Sequence, residues 1–178
     1  MSKQQLLSNF FNLSKKNKIV PTDYLNNEIC EMYFDGACKG NLGPGGAGSV
    51  IYDSNGNELT NIILLLCPNY QVTNNVAEYN GLIAGLEEAK DLKIANLIVK
   101  GDSLLIIKQM NNEYKVKHES MKELYKKAKQ LEKYFNSVKY IHVLREFNKV
   151  ADKLSNEAIR INQENHANNA LLDCCNKK

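Results

Sequence analysis

Four acidic residues have the type and spacing to hold divalent cations: Asp35, Glu78, Asp102 and Asp152. Asp35 interrupts an apolar strand pattern, where aspartate is unfavourable because its short polar side chain competes with the backbone ladder. Each residue also has a structural explanation. Asp35 could begin the turn over residues 36–46, and Glu78 could reach back to a helix start capped by Asn75. Asp102 could cap a helix that opens at Ser103, and Asp152 would lie in the first turn of the last helix.

Four carboxylates in one place repel one another and raise one another's pKa unless cations neutralise them. Mg²⁺ prefers a few carboxylate oxygens together with water and substrate phosphate oxygens, and Mn²⁺ suits the same hard ligands. Two such ions about 4 Å apart activate a water molecule and stabilise the leaving oxygen of a phosphodiester. If the four side chains converge, they therefore predict a site for two metal ions, with Mg²⁺ expected and Mn²⁺ as the alternative.

Nine elements must position these carboxylates. Period-two alternation and buried apolar runs predict strands, and 3.6-residue periodicity predicts helices. The strands are expected over residues 30–38, 47–53, 58–67, 95–100 and 138–144, and the helices over 75–91, 103–111, 119–135 and 149–161. This order indicates an α/β fold: a five-stranded mixed sheet, three antiparallel strands and then parallel additions, flanked by helices. In such a sheet the four carboxylates can meet at one edge, where ligand sites tend to form.

Composition divides the chain into three parts. Residues 1–27 are a basic N-terminal extension, with no acid and four lysines in residues 1–22. We expect a mobile arm there, with a short amphipathic helix over residues 6–13 as the alternative. Residues 28–161 are the patterned domain. Residues 162–178 are rich in Asn and lack sustained periodicity, and we expect a polar tail.

Composition also argues against several classes of protein. The longest apolar run, Ile62 to Cys67, has six residues, far short of the roughly 20 that a membrane-spanning helix needs. The pattern contains no secretory signal. The five cysteines are odd in number and lack Cys-x-x-Cys spacing, which favours a reducing intracellular compartment, cytoplasmic or nuclear. Organelle targeting by the N-terminal arm stays an alternative. The net charge of +3 permits nucleic-acid binding without requiring it, and we expect a monomer.

Four short motifs contain the candidate carboxylates. They are YFDGACKGNLGPGGAG at 33–48, TNNVAEY at 73–79, GDS at 101–103 and REFNKVAD at 145–152. In this order the chain resembles the type 1 ribonuclease H family over roughly residues 28–161. The resemblance implies the ribonuclease H-like fold and metal-dependent endonucleolytic cleavage of the RNA strand of RNA–DNA hybrids, leaving a 5′-phosphate and a 3′-hydroxyl. It also implies that the four carboxylates bind the metal ions.

The resemblance also implies residues that bind nucleic acid. Asn41, Asn74 and Asn75, with the backbone near Gly36, match family positions that touch the minor groove of the hybrid. This is chemically sensible, because the 2′-hydroxyls displayed there distinguish RNA from DNA, and an amide can both donate to and accept from a hydroxyl. Thr73 resembles the threonine that holds a phosphate of the DNA strand, and a second helix cap is the alternative.

Two departures from the bacterial members concern the region before the last carboxylate. Residues 145–151 lack the loop histidine, and His142, ten residues before Asp152, falls in a predicted strand, where we expect a core or edge histidine. The chain instead resembles the histidine-lacking branch of archaea and plants, in which an arginine stands at the place of Arg145. Arg145 could hold a phosphate through its guanidinium fork, or make a surface ion pair with Glu146 or Glu157.

The segment between Asp102 and Asp152 is also too short for the extra basic helix of the bacterial type. Its one long helix carries five lysines: Lys122, Lys126, Lys127, Lys129 and Lys133. These lysines could follow phosphates, which would make binding salt dependent. Their spacing fits a solvated outer face equally well, so both interpretations stay open.

Several functions compete with an autonomous ribonuclease H. A non-catalytic nucleic-acid-binding module on the same fold would have no physical need for four repelling acids. A transposase- or resolvase-like nuclease would have no need for the TNN block or the asparagines. A ribonuclease H that acts with a reverse transcriptase, or one that also cuts double-stranded RNA, stays open.

Overall fold

The structure, a computed structural model, describes residues 11–16, 28–40, 44–66 and 72–175, with side chains described between residues 28 and 164 of those ranges. Asn41 therefore lies outside the described residues. Within these ranges, no helix is long and apolar enough to cross a membrane.

Strands and helices follow one another closely along the described chain. The strands are β1 (Phe11–Lys16), β2 (Ile29–Cys38), β3 (Gly45–Tyr52), β4 (Glu58–Leu66), β5 (Asn96–Gly101) and β6 (Ser137–His142). The helices are α1 (Asn74–Asp91), α2 (Leu104–Met110), α3 (Glu119–Glu132) and α4 (Lys149–Cys175), with a 3₁₀ turn at Arg145–Phe147. All nine expected elements are present, although α3 ends at Glu132 rather than at residue 135.

One mixed sheet contains the strands in the order β1-β4-β3-β2-β5-β6. Strands β2, β3 and β4 are antiparallel neighbours, while β5 adds parallel to β2 and β6 adds parallel to β5. This confirms the five-stranded mixed sheet expected from the sequence.

Strand β1 extends that sheet by one strand at the β4 edge. It pairs antiparallel with β4, from Phe11 opposite Leu65 to Lys16 opposite Thr60. The expectation of a mobile arm or an amphipathic helix is therefore wrong for residues 11–16. The physical reason is long-range, because the open edge of β4 offers a row of backbone donors and acceptors that the local pattern of β1 does not reveal.

Helices cover both faces of the sheet. On one face, α1 packs against β2, β3 and β4 and against α3, closing a large apolar core. Its fully buried side chains include Met32, Phe34, Tyr79, Leu82 and Leu86. On the other face, α4 crosses β2, β3 and β4. Gly48 permits this approach, because a Cβ there would lie 2.5 Å from the Leu154 Cβ and 2.6 Å from the Ser155 nitrogen.

Helix α4 continues to Cys175, so the helix end expected at residue 161 is wrong, and most of the segment predicted as a polar tail is helical. Asn162, which is 5% exposed, shows why. Its Nδ2 donates to the carbonyl oxygens of Leu66 at 2.6 Å and Gly45 at 3.3 Å. The Asn-rich composition disfavours helix locally, but these contacts anchor the helix to the ends of β3 and β4.

Candidate metal centre

Three carboxylates converge where β2, α1 and β5 meet. Asp35 lies on β2, Glu78 lies in the second turn of α1, and Asp102 directly follows β5. One oxygen atom from each lies within 4.8 Å of the others. The parallel pairing of β2 with β5 brings the first and third acids to the same end of the sheet. We call these three residues the acidic cluster.

Gly36 permits the close approach of α1 to β2. A Cβ on Gly36 would lie 2.1 Å from the backbone carbon of Ala77 and 2.1 Å from the backbone nitrogen of Glu78. Any side chain at this position would push the start of α1 away from the strand. The glycine that follows Asp35 therefore sets how near Glu78 comes to it.

The cap of α1 excludes the structural explanation for Glu78. Thr73 is the N-cap, and its Oγ1 accepts a hydrogen bond from the Val76 nitrogen at 3.3 Å. Glu78 lies five residues beyond this cap, so the capping box built on Asn75 is wrong. Glu78 is thus left without the local role that its position first suggested.

The structure also tests the structural explanations for the other three acids. Asp35 lies inside β2, three residues before its end, and does not begin a turn. Ser103, rather than Asp102, is the N-cap of α2, so the capping explanation for Asp102 is also wrong. Asp152 lies in the first turn of α4, as expected, where the helix dipole favours a carboxylate. Only Asp152 keeps its structural explanation.

Burial and mutual repulsion raise the pKa of two of these carboxyls. Burial, followed by the charges of Asp102 and Asp152, raises the pKa of Asp35, and a hydrogen bond from Ser155 opposes the rise. Burial, with the charges of Asp35 and Asp102, raises the pKa of Glu78 to about 9. Glu78 Oε2 is buried and has no hydrogen-bond partner among the described residues. The cluster therefore fits a divalent cation, which would supply the missing positive charge to hard oxygen ligands.

Asp152 stands beside the acidic cluster and is held by an arginine. Arg145 Nη2 donates to Asp152 Oδ1 at 2.5 Å. The Arg145 side chain is 78% exposed and the Asp152 side chain is 29% exposed, so the pair lies on the solvent side of the cluster. The hydrogen bond and the charge of Asp152 raise the pKa of Arg145. Arg145 thus forms its ion pair with Asp152, and not with Glu146 or Glu157 as the alternative interpretation held.

The residues implied to bind nucleic acid lie around the start of α1. Asn74 Oδ1 accepts hydrogen bonds from the Cys38 nitrogen at 2.9 Å and from the Cys38 Sγ at 3.0 Å, which ties the end of β2 to the helix. Thr73 is exposed and Asn75 is half-buried. These side chains flank the helix start that Gly36 contacts, beside the acidic cluster. Their contacts with nucleic acid stay a prediction.

Two polar residues that sequence reasoning missed support the acidic cluster. Asn148 is 1% exposed, and its Nδ2 donates to Asp102 Oδ1 at 2.8 Å and to the Phe34 carbonyl oxygen at 2.9 Å. Ser155 is fully buried and its Oγ donates to Asp35 Oδ2. Weak signals were present, because Asn148 immediately precedes α4 and Ser155 follows the fourth carboxylate by one helical turn.

His142 is the last residue of β6, an edge strand, and its side chain is exposed, which confirms the expectation of an edge histidine. Its Nε2 lies 3.2 Å from the carbonyl oxygen of Asp102. His142 therefore contacts the backbone of Asp102 and not its carboxylate.

The lysines of α3 are mostly paired with glutamates. The pairs are Lys122–Glu119, Lys126–Glu123, Lys127–Glu87 and Lys129–Glu132. Such pairs are typical of a solvated outer face, and they favour that interpretation over a dedicated phosphate-binding stripe.

Known proteins match this chain in sequence and in fold. Residues 33–158 match the family described as reverse transcriptase-like. A bifunctional protein of Mycobacterium tuberculosis is 39% identical over 129 residues, which are 70% of this chain and 34% of that protein. Ribonuclease HI of Halobacterium salinarum is 35% identical over 127 residues, which are 71% of this chain and 62% of that protein. The matched region thus spans about a third of the first relative and under two thirds of the second.

Solved structures agree with the sequence relatives. The N-terminal RNase H domain of an M. tuberculosis protein, solved as a fusion with maltose binding protein, gives a TM-score of 0.72 at 34% identity, covering 79% of this chain and 99% of that one. LC11-RNase H1, from compost and in complex with an RNA/DNA hybrid, gives 0.68 at 38% identity, covering 74% and 96%. The sheet order and the acidic cluster define a ribonuclease H-like protein. The chain belongs to the ribonuclease H family.

Proposed function

We propose that this protein is a metal-dependent endonuclease that hydrolyses the RNA strand of RNA–DNA hybrids to 5′-phosphate and 3′-hydroxyl products. The observation that carries the proposal is the meeting of oxygens from Asp35, Glu78 and Asp102 within 4.8 Å. A binding module would gain nothing from such repulsion, whereas a metal site requires the negative charge. The hybrid as substrate is supported by LC11-RNase H1, which was solved with an RNA/DNA hybrid.

The four carboxylates would hold the metal ions. Hard oxygen ligands suit Mg²⁺, which we expect, and Mn²⁺ is the alternative. When bound, two such ions supply an activated water and stabilise the leaving 3′-oxygen. The protein's own residues keep the ligands in place: Ser155 donates to Asp35, and Gly36 lets Glu78 approach.

Arg145 is the residue that we propose contacts a substrate phosphate. Its guanidinium binds Asp152 and its side chain is 78% exposed. A guanidinium has five donors in a planar fork, so it can hold a carboxylate and a phosphate at the same time. We propose that Arg145 binds the scissile or a neighbouring phosphate while it orients Asp152.

The start of α1 would recognise the hybrid. Asn41, Asn74, Asn75 and the Gly36 backbone are proposed to face the minor groove, where 2′-hydroxyls mark the RNA strand. Thr73 would hold a phosphate of the DNA strand. Its Oγ1 accepts from the helix, which leaves the hydroxyl proton available to donate to a phosphate oxygen.

Cleavage of matched duplexes tests this proposal. An end-labelled RNA–DNA hybrid, an RNA duplex and a DNA duplex of one sequence are incubated with Mg²⁺, with Mn²⁺ or with EDTA, and Asp102→Asn serves as the control. We expect cutting of the RNA strand of the hybrid, with a metal present, and products that carry a 5′-phosphate.

Other outcomes are equally informative. Cutting of the RNA duplex as well would extend the substrate range to double-stranded RNA. Binding of the hybrid without cutting under either metal would favour a non-catalytic binding module and contradict the proposal.

A further inference from the structure

Asn148 contacts three elements that carry site carboxylates. Its Nδ2 donates at 2.8 Å to Asp102 Oδ1, after β5, and at 2.9 Å to the carbonyl oxygen of Phe34 on β2, the residue before Asp35. Its backbone carbonyl accepts from the Asp152 nitrogen at 3.0 Å, which closes the first turn of α4. One residue with 1% exposure thus links Asp102 to the strand that carries Asp35 through its side chain, and to the helix that carries Asp152 through its backbone.

The side-chain amide of Asn148 has partners for its nitrogen but none for its oxygen among the described residues. The amide nitrogen has two hydrogens, and each has an acceptor. The amide oxygen Oδ1 is buried and has no partner within the described part of the chain. A buried unsatisfied acceptor costs about 1–3 kcal/mol. The two donated bonds offset this cost, and they are the contacts by which the Asn148 side chain reaches Asp102 and β2.

An uncharged donor suits the neighbour of a metal ligand. An amide orients the Asp102 carboxylate without neutralising it, so the negative charge stays available to a cation. A lysine or arginine in the same place would lower the charge of the cluster and compete with the ion. Hydrogen bonds to ligating carboxylates orient them, and their loss typically weakens metal binding about 10- to 100-fold.

We infer that Asn148 is a positioning residue that holds Asp102 in its orientation toward the cluster and locks the start of α4 to β2. The inference rests on the proposed function only in requiring that the acidic cluster bind a divalent cation. It assigns Asn148 no contact with the substrate or with the metal itself.

Calorimetric titration of Mn²⁺ into the full chain, without nucleic acid, tests this inference. Asn162→Ala is the matched control, because Asn162, within α4, is likewise a buried asparagine whose Nδ2 donates to two oxygens, the carbonyls of Gly45 and Leu66. We expect Asn148→Ala to weaken Mn²⁺ binding about tenfold and Asn162→Ala to leave it unchanged. Both variants should lower the melting temperature, since each loses two hydrogen bonds.

Three results separate the explanations. Wild-type affinity in Asn148→Ala, or an equal loss in Asn162→Ala, would overturn the inference, because the effect would then be absent or merely structural. If Asn148→Ala does not fold, Asn148→Leu, which has similar branching and fills the space without donating, takes its place with the same expectation. A wild-type chain that binds no Mn²⁺ would contradict the proposed function and the inference together.

Discussion

At the scale of single residues, Glu78 is a carboxylate whose burial opposes the negative charge that a metal site needs. It approaches Asp35 and Asp102, one of its oxygens lacks a partner among the described residues, and its pKa is raised to about 9. A divalent cation would remove this conflict by favouring the ionised form. The metal-free protein should therefore reveal the conflict as a dependence of its stability on pH.

We expect the metal-free protein to lose stability as the pH rises from about 5 to about 9. The folded state holds the Glu78 proton more tightly than the unfolded chain, so the stability present at low pH disappears as the group ionises. The free energy of unfolding should fall by roughly 1.4 kcal/mol per pH unit within this range. Urea denaturation in EDTA at each pH measures it. Glu78→Gln should show a much flatter profile, and equal slopes in the two proteins would contradict the assignment.

Arg145→Ala should slow turnover while it changes the KM for the hybrid less. The guanidinium orients Asp152, and its charge also lowers the pKa of Glu78, so its removal disturbs the chemical step. We expect kcat to fall about tenfold, in steady-state cleavage of a labelled hybrid. Arg160→Ala is the control, because Arg160 is also an exposed arginine in ion pairs, with Glu157 and Glu164. Full activity in Arg145→Ala would show that Arg145 makes a surface ion pair without a role in cleavage.

At the scale of secondary-structure elements, the site depends on how closely helices approach the sheet. Helix α1 meets β2 at Gly36, and α4 meets β3 at Gly48, in both cases with backbone or Cβ atoms where a glycine Cβ would be. A side chain at either glycine could not be accommodated by a small side-chain movement, because the obstructing atoms are main-chain atoms or a Cβ. The distances between carboxylates on different elements are therefore set by these glycines.

Gly36→Ala should damage both stability and activity. The new Cβ would lie 2.1 Å from backbone atoms of Ala77 and Glu78, so α1 must shift outward. We expect a loss of about 2–3 kcal/mol of stability and strongly reduced cleavage. Gly56→Ala is the control, since Gly56 has a φ of +80° but open space around it. It should cost about 1 kcal/mol and leave cleavage unchanged. Wild-type stability and wild-type cleavage in Gly36→Ala would contradict the packing argument.

Local patterns predicted the elements better than they predicted the contacts between them. The strand pattern around Asp35 and the helix periodicity around Glu78 identified two acids on different elements, and the order of strands predicted their convergence with Asp102. The support from Asn148 could not be predicted, because it binds a carbonyl 114 residues away. The continuation of α4 beyond residue 161 could not be predicted for the same reason, since Asn162 acts on the ends of two distant strands.

At the scale of the whole molecule, the added strand β1 changes which edge of the sheet is open. Strand β4 is strongly apolar, with Ile62 to Leu66 in one run, and β1 pairs with its outer backbone edge. The family match covers residues 33–158 and so does not include β1. Unpaired apolar edges promote association between chains, and β1 covers one. The expectation of a monomer is therefore a prediction that depends on this strand.

Deletion of residues 1–16 should cause association without destroying the site. The outer edge of β4 would then be free to pair with another chain, while the acidic cluster lies on β2, α1 and the segment after β5. We expect the full chain to sediment as a monomer and the truncated chain to form dimers or larger species at higher concentration. Cleavage per folded chain should be retained. A truncated chain that stays monomeric with an unchanged melting temperature would show that β1 does not prevent association through the edge of β4.

The most direct test of the central claim is single-turnover cleavage of an RNA–DNA hybrid in Mg²⁺ by the wild type, Asp35→Asn and Asp102→Asn. The amides keep the shape of the carboxylates but remove the charge that a cation needs. We predict that the wild type cuts the RNA strand, that each variant is slower by about 1,000-fold, and that both variants melt no lower than the wild type because repulsion is relieved. Cutting by either variant at near wild-type rate would contradict the assignment of these carboxylates to a metal-dependent ribonuclease site.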